Sequence, residues 1–217
     1  MKRPDLFTLD IWQQHENMVL QTFCEALSVL NLCVTANNTE DEITIELVKC
    51  IRNVVFNKKN IYSGNIVCQA HNQPLGGAEE SAIRLRKKPD IQWGFINTYA
   101  DSVEGLERYF TIECKCLSSN STATAYVKNG ILRFVLSDYG YGQNEKSGAM
   151  IGYIKENSED IHFANVNQQA SIYKLFPIAR CEDNDAKDIF KLKQEIIDRE
   201  FVPYAFTLHH YWVNIIR

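Results

Sequence analysis

The chain has 217 residues, 45% of them hydrophobic and 23% charged, which is the balance of an ordinary globular domain and not of a disordered or fibrous one. With 23 Lys and Arg against 27 Asp and Glu, the formal charge of −4 excludes a bulk polyanion coat while allowing a local basic site. No apolar run reaches the roughly 18 residues a membrane span needs, and the first residues, Met1-Lys2-Arg3-Pro4-Asp5, lack the apolar core of a signal peptide. Seven cysteines, odd in number and mostly within apolar runs, read as reduced buried thiols of a cytoplasmic protein.

In chain order, apolar residues at helical spacing (Met18, Val19, Phe23, Ala26, Leu27, Leu30) predict an amphipathic helix near 8–31. Thr39 and Glu42 form a capping-box pattern that starts a second helix, running to about Phe56 with Ile43, Leu47, Ile51 and Val54 on one face. Turn signals at Ser63-Gly64-Asn65 and Pro74-Leu75-Gly76-Gly77 then separate short strand-like runs at 66–68, 83–86 and 91–96. A polar connection, 97–107, leads to the clearest alternation of the chain, Tyr109 to Leu117. There Phe110, Ile112, Cys114 and Cys116 face one way, and Thr111, Glu113 and Lys115 the other. Residues 123–136 read as a helix, 148–154 as a buried strand, 161–175 and 185–201 as helices, and 204–216 as a closing strand. This order predicts an α/β fold with a mixed sheet between helices, in one domain with an N-terminal helical segment (about 8–31), a core (about 38–155) and a C-terminal part (about 156–217).

The chemistry concentrates at Pro89-Asp90 and, twenty-three positions after that acid, Glu113-Cys114-Lys115. Glu113 and Lys115 share a strand face by their i, i+2 spacing. Asp90, at the end of a neighbouring strand, would bring a second carboxylate beside them. Two adjacent carboxylates repel unless a cation stands between them, and a hard divalent ion, Mg²⁺ with Mn²⁺ as a substitute, suits oxygen ligands. The Cys114 carbonyl would add a ligand, and Lys115 would hold a water or offset transition-state charge.

Pro-Asp, a hairpin-sized gap and Glu-x-Lys on an apolar strand resemble the PD-(D/E)XK nuclease superfamily. The resemblance spans residues 38–155. It implies a restriction-endonuclease-like mixed sheet flanked by helices. It also implies metal-binding roles for Asp90 and Glu113, and a catalytic role for Lys115. Family members often add a glutamate from the helix before the core strands. Glu42 and Glu46 are candidates, with Glu79 and Glu80 as rivals, although Glu42 also completes the capping box. Tyr126, Gly130 and Arg133 share one face of the following helix, from which Tyr126 would face the substrate and Arg133 would clamp a phosphate. Arg84, Arg86, Lys87 and Lys88, just before Pro89, form the best local basic run for backbone phosphates, or else a solvated polar face.

The expected activity is Mg²⁺-dependent hydrolysis of DNA phosphodiesters, by a homodimer or a subunit of a larger complex, with a role in restriction or anti-phage defence. A catalytically silent nuclease-fold scaffold and an RNA nuclease are the alternatives.

Overall fold

The computed structural model describes residues 6–58, 65–68, 88–96, 107–143, 145–182 and 188–216. Two long helices come first, α1 (Leu6–Leu30) and α2 (Glu40–Lys58). Strands β1 (Asn65–Cys68), β2 (Ile91–Ile96) and β3 (Glu107–Leu117) follow, then helix α3 (Asn120–Lys128) and a single 3-10 turn, Ile131–Phe134. Strand β4 (Ser147–Ile154), helix α4 (Glu159–Ile172) and strands β5 (Ala179–Arg180), β6 (Ile189–Ile196) and β7 (Phe206–Asn214) complete the described elements.

The strands form one mixed sheet of order β1-β2-β3-β4-β7-β6-β5. Its middle, β3-β4-β7, is parallel, and antiparallel pairs extend it on both sides. Parallel strands are covered on both faces, and the two apolar clusters show that here. On one face α1 and α2 pack Val19, Phe23, Leu27, Leu47 and Ile51 against Phe110, Ile112, Cys114, Ile151 and Val213. On the other, Ala123, Val127, Ile131 and Phe134 meet Met150, Ile154, Leu208 and Trp212. Alternation along β3 therefore sends Phe110, Ile112 and Cys114 to the α1–α2 face, and Glu113 and Lys115 to the face covered by α3 and the 3-10 turn. No helix among the described residues is long and apolar enough to cross a membrane.

The mixed α/β sheet, the first two helices, and the elements expected at 66–68, 91–96, 109–117, 148–154, 161–175 and 204–216 all correspond to observed ones. Two expectations are corrected. Residues 189–196, read as helix, form β6, where Leu192, Gln194 and Ile196 are buried while Lys191, Lys193 and Glu195 point away. The run is rich in Lys, Gln and Glu, whose helix propensity masks a two-residue period, and pairing with β7 along its whole length overrides that propensity. The helix expected over 123–136 is broken at Asn129-Gly130. A Cβ at Gly130 would overlap the Met150 side chain and the Tyr126 carbonyl, so the chain passes close to β4 there and resumes as a 3-10 turn. The strand read at 83–86 lies outside the described residues, as do Glu79, Glu80, Arg84, Arg86 and Lys87.

Candidate active site

β3 outruns its antiparallel neighbour. The β2 register ends at Ile91↔Ile112, so β3 has no β2 partner from Glu113 onward. Buried backbone donors need acceptors, and two carboxylates supply them. Asp90 Oδ2 accepts from the Cys114 N–H at 2.7 Å, and Glu40 Oε2 accepts from the Cys116 N–H at 2.8 Å. The same satisfaction of backbone fixes both acids beside the strand. Asp90 is the residue just before β2, and Glu40 is the first residue of α2.

Lys115 lies at the centre of the resulting cluster. Its Nζ is 2.9 Å from Glu40 Oε1, 2.9 Å from Glu113 Oε1 and 3.7 Å from Asp90 Oδ2, and it donates to the Cys114 carbonyl at 2.6 Å. Arg133 Nη1 reaches Glu113 Oε1 at 2.5 Å and the Tyr141 hydroxyl at 3.3 Å. The Arg133 guanidinium also lies 5.5 Å from the Tyr139 ring centroid and 5.8 Å from that of Tyr141, in cation–π range. Glu113 is 0% exposed and Glu40 34%, so the cluster is closed at its floor and open on the α2 side.

The electrostatics follow from this packing. Three carboxylates against two cations leave one negative charge uncompensated when all are ionised. Burial, then repulsion from Asp90, pushes the Glu113 carboxyl up to about 7, against the pull of Lys115 and Arg133. Burial likewise raises Asp90, opposed by Lys115 and the Cys114 N–H. Lys115 is held firmly protonated by Glu113, Asp90 and Glu40, which outweigh its desolvation. Glu113 is bonded unevenly. Oε1 carries both cations, while Oε2 is buried without any partner.

The site residues expected from sequence fare differently. Asp90, Glu113, Lys115, the Cys114 carbonyl and Arg133 converge. Glu42 does not join them. Its carboxylate accepts from the Thr39 N–H at 2.8 Å while its own N–H donates to Thr39 Oγ1, so the capping box consumes it. Glu46 pairs with Lys49 at 2.8 Å on the helix surface. Tyr126 is corrected from a substrate-facing residue to a core one. It is fully buried, its hydroxyl accepts from Trp212 Nε1 at 2.9 Å, and it meets His210 Nδ1 at 2.9 Å. Lys88 is exposed, next to Pro89 at the start of the motif.

The sequence did not single out Glu40 or Arg199, and marked Tyr141 only as part of a glycine-bearing turn near the cleft mouth. The only signal for Glu40 was the acidic first turn of α2, Glu40-Asp41-Glu42. Tyr141 sits between Gly140 and Gly142, whose φ of 63° and 66° is open to glycine at little cost and turns the loop back on Arg133. Arg199, 2% exposed, fixes that loop by donating to the carbonyls of Phe134 (2.8 Å), Tyr141 (2.7 Å) and Gly142 (3.1 Å) while its guanidinium lies against the Phe201 and Phe206 rings. No family model matches the chain, and neither the curated proteins nor the solved structures contain a match to it.

Proposed function

We propose that this chain is a magnesium-dependent nuclease hydrolysing DNA phosphodiester bonds, with Asp90, Glu113 and Lys115 at its centre. The observation that carries the reading is the lopsided bonding of Glu113, a buried carboxylate with two cations on one oxygen and nothing on the other. A buried acceptor without a partner is expensive, about 1–3 kcal/mol. A divalent ion held by Asp90, Glu113 and the Cys114 carbonyl would satisfy it, and these hard oxygen donors fit magnesium. When bound, that ion supplies a positive charge for a phosphoryl oxygen and a water of lowered pKa.

The remaining parts belong to the protein itself. Lys115, permanently charged and already in contact with both acids, orients the attacking water and offsets charge growing on the phosphate. Arg133 offers a planar fork for the scissile phosphate, with Tyr139 and Tyr141 flanking it. Glu40 steadies Lys115 from the open side. The mixed sheet flanked by helices agrees with the PD-(D/E)XK resemblance, in which restriction or anti-phage defence is the corresponding role.

Supercoiled plasmid incubated with the protein and Mg²⁺ tests the reading. Asp90→Asn and Lys115→Ala should each lower cleavage by about a hundredfold or more while the variants stay folded. Cutting at the wild-type rate by either folded variant removes that residue from the mechanism. A single-stranded RNA substrate run alongside separates a ribonuclease from a deoxyribonuclease.

A further inference from the structure

We propose that the hairpin of α1 and α2 holds a second metal site, built from Cys33, Glu46 and Cys50, that takes a zinc-class ion. One ligand atom from each of these residues lies within 4.8 Å of the other two, the one such trio of His, Cys, Asp or Glu among the described residues. Two elements supply them. Glu46 and Cys50 stand at i and i+4 on α2 and so share a helix face. Cys33 comes from the turn that ends α1, where its N–H donates to the Leu30 carbonyl at 2.9 Å.

That turn is held in place. Asn38 Oδ1 accepts from the Thr35 N–H at 2.8 Å and from the Thr35 hydroxyl at 3.1 Å. The Asn38 carbonyl accepts from Lys155 Nζ at 2.8 Å, which ties the turn to the end of β4. The third ligand is therefore presented by an ordered loop and not by a free end.

The donor set selects the ion. Two sulfurs and one carboxylate oxygen suit tetrahedral zinc, with the fourth position left to water, whereas magnesium asks for six oxygens. The two proposed sites thus differ in ligand softness, the sulfur-bearing one favouring zinc and the all-oxygen one suiting magnesium. When ionised, the two thiolates and Glu46 repel one another, and a divalent cation reverses that repulsion. Lys49 occupies one Glu46 oxygen at 2.8 Å and leaves the other available. Cys33 is exposed and Cys50 buried, so an ion can enter from solvent and seat against the core. Its placement is structural. It ties the middle of α2 to the turn after α1, on the helix whose first residue, Glu40, touches Lys115.

The test uses the full chain, reduced and freed of metal, titrated with Co²⁺ as a spectroscopic probe for zinc. Expected are tetrahedral d–d bands and a thiolate-to-cobalt charge-transfer band that saturate at one equivalent and are displaced by Zn²⁺. Cys33→Ser and Cys50→Ser should each abolish the one-equivalent binding, Glu46→Gln should weaken it while keeping the thiolate band, and Glu113→Gln should leave it unchanged. Zinc should raise the thermal midpoint of the wild type and not that of Cys33→Ser. Cys33 is exposed, so its serine variant keeps the test decisive should Cys50→Ser fail to fold. A missing charge-transfer band, or one that persists in Cys33→Ser, overturns the proposal.

Discussion

At the scale of single residues, Tyr126 separates packing from chemistry. Trp212 can only donate, so Tyr126 accepts from it and leaves its phenol proton for His210 Nδ1. Tyr126→Phe strands both partners in the core and should cost roughly 1–3 kcal/mol in chemical denaturation, with plasmid cleavage otherwise unchanged. His210 itself is fully buried, its other ring nitrogen has no partner, and burial lowers it to about 3. The unfolded chain, titrating near 6.5, binds a proton that the folded chain refuses. The stability His210 contributes is therefore complete above pH 6.5 and is lost as the pH falls toward 3, by about 1.4 kcal/mol per unit. Denaturation curves across that range should flatten in His210→Phe. An unchanged slope in that variant would assign the acid sensitivity elsewhere, for example to His15, which burial lowers to about 4.

Part of the site is written in the sequence position by position. Glu113 and Lys115 were legible because a strand's two-residue period fixes which side chains share a face, and the apolar partners Phe110, Ile112 and Cys114 announce that period. Glu40 was not legible. It sits two residues before Glu42 in the same acidic turn, and only the packing of α2 across the end of β3 distinguishes the two. One carboxylate closes a capping box and the other takes a strand N–H.

At the scale of elements, the segment between α3 and β4 governs the cationic side of the site. An uninterrupted helix would have kept Tyr126 and Arg133 on one face. The break at Gly130 sends Tyr126 into the core and Arg133 to Glu113. Gly130→Ala should lower stability by about 1–3 kcal/mol, because the added methyl meets backbone as well as Met150. Arg199 anchors the far end of the same segment through hydrogen bonds to carbonyls and packing on the Phe201 and Phe206 rings, and desolvation lowers its guanidinium to about 10. Arg199→Leu leaves those buried carbonyls short of donors. It should cost roughly 3 kcal/mol or more in denaturant, and Arg199→Lys should recover part of that loss. A neutral Arg199→Leu would show that the loop around Tyr141 holds itself. The strand β6 marks where element reading fails from sequence. Its Lys, Gln and Glu content favours a helix in isolation, and its partner β7 lies later in the chain.

At the scale of the molecule, the sheet places the cluster at the carboxyl end of a parallel strand. In open α/β sheets that end gathers loops and helix termini, and ligands bind there. β3 supplies Glu113 and Lys115, the entry to β2 supplies Asp90, the start of α2 supplies Glu40, and the α3–β4 connection supplies Arg133 and Tyr141. Six groups from four parts of the chain meet there: β2 stops short, and the Asp90 and Glu40 carboxylates take the β3 N–H groups it leaves without a strand partner. The class of fold was readable from the alternation of elements along the chain. The meeting point depends on strand order, which no local pattern encodes.

The proposed chemistry requires Asp90 and Glu113 to share one divalent ion beside Lys115. Calorimetric titration of the wild type, Asp90→Asn and Glu113→Gln with Mn²⁺ tests it most directly, with Cys33→Ser as the background so that only oxygen ligands are probed. One-to-one binding is expected in that background, with its loss in both carboxylate variants. Absence of binding, or binding of equal strength in all three proteins, would contradict it.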